Sequence, residues 1–133
     1  MDYNFYDDMN VLHGYMSYNS LDLCDPYEGF LKGNAFKDQY VPYKNFKPYK
    51  ININSEQEEL LFNISEYAFM MHDMNLYLDI HPENREALNK FNEFRNKRDE
   101  LIVKYERKYG PLMVNASDTK TAFNWVNKWP WVN

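Results

Sequence analysis

Asn75-Leu76-Tyr77-Leu78-Asp79-Ile80-His81-Pro82 carries an apolar, helix-like pattern into a His-Pro corner, and a second helix-like pattern begins just beyond it. Pro82 has no backbone donor and its ring clashes with a preceding helical turn, so a helix covering Leu60 to Asp79 stops near it. The same residue suits the first turn of a new helix. The stretch therefore predicts the bend of an antiparallel helical hairpin, with arms at about residues 55–80 and 83–109. Asp79 and His81 stand where a side chain can accept from the amides that open the second helix.

Working outward, Ser55 followed three residues on by Glu58 forms a capping box, and the acids at 56, 58 and 59 favour the positive end of the helix dipole. Leu60, Ile64, Tyr67, Met71, Met74 and Leu78 then recur at spacings of four and three, an apolar stripe about six turns long. Past the corner, Ala87, Leu88, Phe91, Phe94, Leu101, Ile102, Tyr105 and Tyr109 continue the pattern to Gly110-Pro111, a capping glycine and a breaker. Glu66 and Arg98 lie equally far from Pro82, so the hairpin brings them level and allows a cross-helix ion pair, worth only about 0–1 kcal/mol if exposed. Phe62, Phe69, Met70, Leu76 and Phe94 extend the apolar surface beyond one stripe, and a two-helix hairpin cannot enclose it alone. A flanking segment, a second copy or a different protein must cover it.

Three further regions flank the hairpin. Residues 1–24 are acidic and rich in Tyr, Asn and Asp with no sustained period; they read as a flexible tail or as a segment that orders on a partner. Residues 25–50 bring Pro26-Tyr27, Pro42-Tyr43 and Pro48-Tyr49, with a short helical turn expected over Glu28 to Gly33 and an extended, polyproline-like strip over Tyr40 to Lys50. That strip lies either in a partner's groove or on this chain's own helices. From residue 51 the hairpin runs on to a tail with Phe123, Trp125, Trp129-Pro130-Trp131, which either folds back as a lid or anchors in a partner's pocket. The fold class that results is mainly α, a helical hairpin between extended aromatic arms.

The 133 residues allow one small domain with a modest core. Twelve Tyr, nine Phe and three Trp coexist with a mean hydropathy of -0.77, a balance that suits contact surfaces better than a greasy interior. The candidate contact residues are Tyr27, Phe30, Phe36, Tyr40, Tyr43, Phe46, Tyr49, Tyr77, Tyr105 and Tyr109, with Trp125, Trp129 and Trp131. The single Cys24 excludes an internal disulfide and favours intracellular folding. No stretch approaches the roughly 20 apolar residues of a membrane span, and the acidic start lacks the basic region of a signal peptide, so cytosolic synthesis is expected. The net charge of -5 is uneven: six acids and no Lys or Arg from Met1 to Glu28, then five Lys against one Asp from Gly29 to Lys50. The basic aromatic stretch is of a kind that binds nucleic acid, but its acidic flank repels phosphate, and no nucleic-acid partner is expected.

Catalytic chemistry finds little footing. His13, His72 and His81 invite a metal reading, yet the residues three before His72 and His81 are Phe69 and Leu78, not the Glu that helical di-metal sites require. Cys24 has no CxxC partner, and there is no phosphate-binding glycine loop and no Ser or Cys nucleophile motif. No cofactor is expected, and the residues point away from an enzyme.

Asn75-Leu76-Tyr77-Leu78-Asp79, His81-Pro82, Tyr105-Glu106, Tyr109-Gly110-Pro111-Leu112 and the terminal Trp-Pro-Trp resemble, in order and spacing, the spore coat protein CotJB family. The likeness departs at the end, where Lys128 replaces the usual Pro before Trp129 and Val132-Asn133 replaces an acidic finish. Pro26-Tyr27-Glu28, Gly33-Asn34, Phe36 and Tyr40-Val41-Pro42-Tyr43 are similar to the core of the CotJA spore coat family, so the chain looks like a CotJA-like segment joined to a CotJB-like hairpin. The resemblance implies a non-enzymatic structural or adaptor protein, made in the mother-cell cytoplasm and assembled into the endospore coat. It implies a manganese-catalase-like partner of the CotJC type, with catalysis belonging to that partner, alongside other coat proteins. The alternative is a coat subunit that assembles with copies of itself through its Tyr- and Trp-rich arms.

Overall fold

The computed structural model describes residues 21–37, 39, 44, 45, 47 and 49–114. Three helices make up the described fold: α1 (Pro26–Lys32), α2 (Glu56–Ile80) and α3 (Arg85–Tyr109). Among the described residues there is no strand, only one antiparallel bridge between Leu23 and Phe36.

α2 starts as its capping box directs. The Ser55 hydroxyl accepts from the Glu58 amide at 3.2 Å, while the Glu58 carboxylate accepts from the Asn54 amide at 2.7 Å, one residue earlier than the usual reciprocal bond. At the corner, the His81 amide donates to the Tyr77 carbonyl and the Asn84 amide donates to the His81 carbonyl. Asn84, not Asp79 or His81, caps α3: its side-chain oxygen accepts from the Ala87 amide at 3.0 Å, and its Nδ2 donates to the Tyr77 hydroxyl at 3.2 Å. Pro82 correspondingly lies in the turn ahead of the cap, because two residues are needed to reverse the chain before a new helix can begin. α3 ends at Gly110, whose φ of 101° is a conformation that side chains with a Cβ rarely adopt, and Pro111 follows.

The long helices pack antiparallel, with Gln57 Nε2 donating to the Tyr105 hydroxyl at 2.9 Å near one end and Asn84 meeting Tyr77 at the other. Leu60, Ile64 and Tyr105 form one buried cluster, with Leu101, Ile102, Tyr109 and Leu112 against it. Met70, Met74, Phe94 and Ala35 form a second, with Tyr67, Phe91 and Met71 against it. Phe94, expected as surplus surface, is core.

α2 carries a second apolar flank, and residues 22–37 cover it. Asp25 caps α1 by accepting from the Glu28 amide, Pro26 occupies the first turn, and Gly33 ends the helix at φ 75°. Cys24 N to Ala35 O at 2.8 Å and Lys37 N to Asp22 O at 3.1 Å then close the ends of this loop on each other. The closed unit reaches α2 through Tyr27 and Phe30 against Phe62, and Phe30 against Phe69, with ring centroids 5.5 to 5.9 Å apart. The Ala35 amide donates to Asp73 Oδ2 at 2.8 Å across the same seam. The bridge joins Leu23 to Phe36 across the boundary expected at residue 25, and Cys24 is buried beside it.

Glu66, one turn from both Phe62 and Met70, lies on this covered flank and is 7% exposed. Arg98 contacts Met71 Sδ at 3.1 Å and pairs with Asp99, so the Glu66–Arg98 pair that the register allows does not form. Equal distance from the corner fixes height along the hairpin but not the rotation of each side chain around its helix. Burial, and after it the nearby Asp25 carboxylate, push the Glu66 carboxyl above its ordinary range.

Met70 and Met74 are fully buried, so Met70→Ala should cost about 2–5 kcal/mol in denaturant unfolding, with Met74→Ala in the same range. Gly110→Ala should cost about 1–3 kcal/mol in the same assay through its positive φ. For Glu66 the folded chain holds its proton more tightly than the unfolded chain, so stability falls as pH rises from the ordinary carboxylate range through the raised folded value. Glu66→Gln should therefore raise the unfolding midpoint at neutral pH, and its advantage should shrink to nothing in a melting series taken down to about pH 3, below that range. An advantage independent of pH would contradict this assignment.

Candidate interaction surface

Near the corner, the apolar flank of α2 outruns its cover. Phe69, Asp73, Leu76 and Ile80 recur at spacings of four, three and four and so share that flank. Phe30 covers Phe69 and the Ala35 amide binds Asp73, but Leu76 and Ile80 are 51% and 56% exposed. They edge a groove of about 270 Å³ whose lining also includes Asn34, Phe36, Gln39, Tyr77 and His81. Phe36 lies 5.5 Å from the Tyr77 ring, and Tyr77 4.5 Å from His81, so the aromatic wall is a continuous stack. The Asn34 side-chain oxygen accepts from the Phe36 amide at 2.8 Å, which fixes the first ring of that stack. The arrangement is a shallow apolar slot with polar ends, suited to an apolar or aromatic side chain from a partner.

The expected contact residues divide by position. Tyr27 is half exposed over Phe62, Phe30 is partly buried between Phe62 and Phe69, and Phe36 and Tyr77 line the slot. Tyr49 is largely exposed. Tyr109 lies 5.2 Å from the Tyr105 ring and its hydroxyl donates to Glu56 Oε2 at 3.4 Å, tying the C-terminus of α3 to the N-terminus of α2. Tyr105 is only 1% exposed; its ring belongs to the core rather than to a surface. Tyr40, Tyr43, Phe46, Trp125, Trp129 and Trp131 lie outside the described residues. Of the corner and cap residues, Ser55, Glu58, Gly110 and Pro111 hold helix ends, His81 closes α2 through its amide, Pro82 shapes the turn, and Asp79 is exposed.

At the far end Lys108 pairs with Glu56 and holds its carboxyl below the usual carboxylate range. A second cleft, about 570 Å³, lies between the Leu21–Glu28 strip and the two long helices, with Lys37, Lys90 and Glu93 at its rim. Cys24 borders it, but burial pushes its thiol up, which leaves little thiolate. His72 is exposed, His13 lies outside the described residues, and among the described residues no three His, Cys, Asp or Glu side chains gather as a metal site. No described helix is long and apolar enough to cross a membrane.

Sequence reading did not single out Asn84 or Ile80, and it took Asp73 with His72 as a surface or partner-facing pair, whereas Asp73 accepts from the Ala35 amide. Asn84 had a legible signal, a capping-type residue three before Ala87 and just past a proline. Asp73 had none, since its partner amide lies thirty-eight residues away.

No curated protein and no solved structure matches the chain. The CotJB protein family matches residues 58–132, from the first turn of α2 through both long helices and beyond the described residues. The match spans more than half of the 133 residues, and the chain belongs to the CotJB family of spore coat proteins.

Proposed function

We propose that this chain is a non-enzymatic adaptor of the bacterial endospore coat, which anchors a manganese-catalase-like oligomer through apolar and aromatic surface. Catalysis belongs to the partner; this chain supplies adhesion. The reading is carried by the corner slot, where Leu76 and Ile80 remain half exposed beside the Phe36–Tyr77 stack although the rest of the α2 flank is covered. An exposed apolar pair on a rigid helix, next to an ordered aromatic wall, is the arrangement expected of a docking point. The CotJA-like segment, residues 25–43, fits the same reading, because Gly33, Asn34, Phe36 and Gln39 line the slot. It is synthesised in the mother cell and carried with its partner onto the spore surface.

Co-expression with the catalase-like protein encoded nearest to this chain, followed by size-exclusion chromatography with light scattering and metal analysis, tests the proposal. Co-elution is expected, with manganese tracking the partner. Leu76→Asp together with Ile80→Asp should abolish co-elution while leaving the helical circular dichroism intact, since both side chains are already in solvent. Separate elution, with this chain growing into a homopolymer as its concentration rises, would favour a self-assembling coat subunit instead.

A further inference from the structure

Residues 22–37 carry their own internal contacts. α1 takes its N-cap from Asp25 and ends at Gly33, Lys32 pairs with Glu28, and Lys37 meets Asp22 both through a backbone hydrogen bond of 3.1 Å and through an ion pair of 3.2 Å. Together with the Leu23–Phe36 bridge and the Cys24–Ala35 hydrogen bond, these contacts do not depend on the hairpin. The hairpin in turn has a part that owes nothing to this segment. The cluster of Leu60, Ile64 and Tyr105, the Gln57–Tyr105 hydrogen bond and the Lys108–Glu56 pair all join α2 to α3 alone.

The seam between the two units is less complete. Tyr27 and Phe30 pack on Phe62, Phe30 also on Phe69, Gly29 lies against Met70, and Ala35 enters the Met70–Met74–Phe94 cluster while its amide donates to Asp73. Beside these contacts runs the cleft of about 570 Å³, where the Leu21–Glu28 strip faces Tyr67 of α2 and Lys90, Glu93 and Phe94 of α3. The same seam buries the Glu66 carboxyl beside Asp25. A unit with its own internal bonding, docked over a partly open seam, is of the kind that separates while the rest stays folded.

We propose that residues 22–37 form a lid that opens as one unit from an intact α2–α3 hairpin, and that the Cys24 thiol reacts with reagents in solution only from the open form. In the closed form Cys24 is buried. Opening also dismantles the corner slot, since Gly33, Asn34 and Phe36 belong to the lid whereas Leu76, Tyr77 and Ile80 belong to α2. A partner docked in that slot therefore holds the lid shut, a consequence that rests on the docking role proposed above, while the opening itself does not.

The chain has a single cysteine, so a thiol reagent reads the lid and nothing else. With dithionitrobenzoate the Cys24 thiolate attacks the reagent's S–S bond, a protein–reagent mixed disulfide forms, and one coloured thionitrobenzoate leaves as the thiolate. The full-length protein in water should label many-fold more slowly than the chain unfolded in urea. Below the unfolding transition seen by helical circular dichroism, labelling should depend on urea several-fold less steeply than global unfolding does, because lid opening exposes only part of the buried surface. Asp73→Ala removes the acceptor of the Ala35 amide and should speed labelling in water several-fold. Gly29→Ala, whose Cβ would come within 2.9 Å of Met70 Sδ, should do the same and serves if Asp73→Ala does not fold. Leu101→Ala, at the far cluster, should lower the circular dichroism midpoint yet leave labelling in water unchanged. Labelling as steep in urea as the loss of helix would overturn the proposal by making lid and hairpin one unit. Labelling in water as fast as in the unfolded chain would overturn it too, as would a Leu101→Ala variant that labels as fast as Asp73→Ala.

Discussion

α2 has to be covered from two sides, and the rest of the structure follows from that demand. Leu60, Ile64 and Met74 pack with α3, while Phe62 and Phe69 pack with the α1 loop, so a partner helix can bury only part of what the sequence makes apolar. Burial of each large apolar side chain contributes about 1.5–3 kcal/mol, which makes a second cover worth the entropy of ordering a loop. The loop from Asp22 to Lys37, closed on itself, supplies it. Two backbone hydrogen bonds, Cys24 to Ala35 and Lys37 to Asp22, join the ends of that loop.

Close approach makes the cover effective. Gly29 faces Met70 so nearly that a Cβ there would come within 2.9 Å of its sulfur, and Met70, with Met74, is fully buried as a result. The Asp73 carboxylate contributes direction by taking the Ala35 amide, which sets where the loop ends along α2. Coverage stops there. Leu76 and Ile80, one and two turns further, stay about half exposed, bordering a groove rather than a packed seam. The candidate docking slot is therefore a consequence of where the cover runs out.

Glu66 shows the cost of the same arrangement. A carboxylate on the covered flank is taken out of water beside a second acid, and none of the described basic side chains is placed to compensate it. Such a group weakens the α1–α2 seam as it ionises, so this seam loses stability as pH rises through the raised carboxyl range. The long-helix seam lacks this weakness: it is held by Leu, Ile, Met and Tyr side chains, and the cross-helix ion pair of Lys108 with Glu56 is in solvent.

The two long helices, their antiparallel turn at Pro82 and the glycine stop at 110 were legible in the sequence, because each depends on near neighbours: a three-to-four residue period, a capping box, a missing amide, a φ that favours glycine. Membership in a coat protein family was legible for a related reason, since its motifs cluster at these same local features. Other outcomes came from the tertiary structure. Periodicity could say that α2 was too apolar for one partner but not which segment would cover it, and it set Glu66 opposite Arg98 when rotation placed them on different flanks. Tyr105 read as a contact residue and is core; Leu76 read as one more apolar side chain and is exposed. A stripe of side chains looks the same in sequence whether its mate is the same chain or another, because burial is fixed by residues thirty or forty positions away.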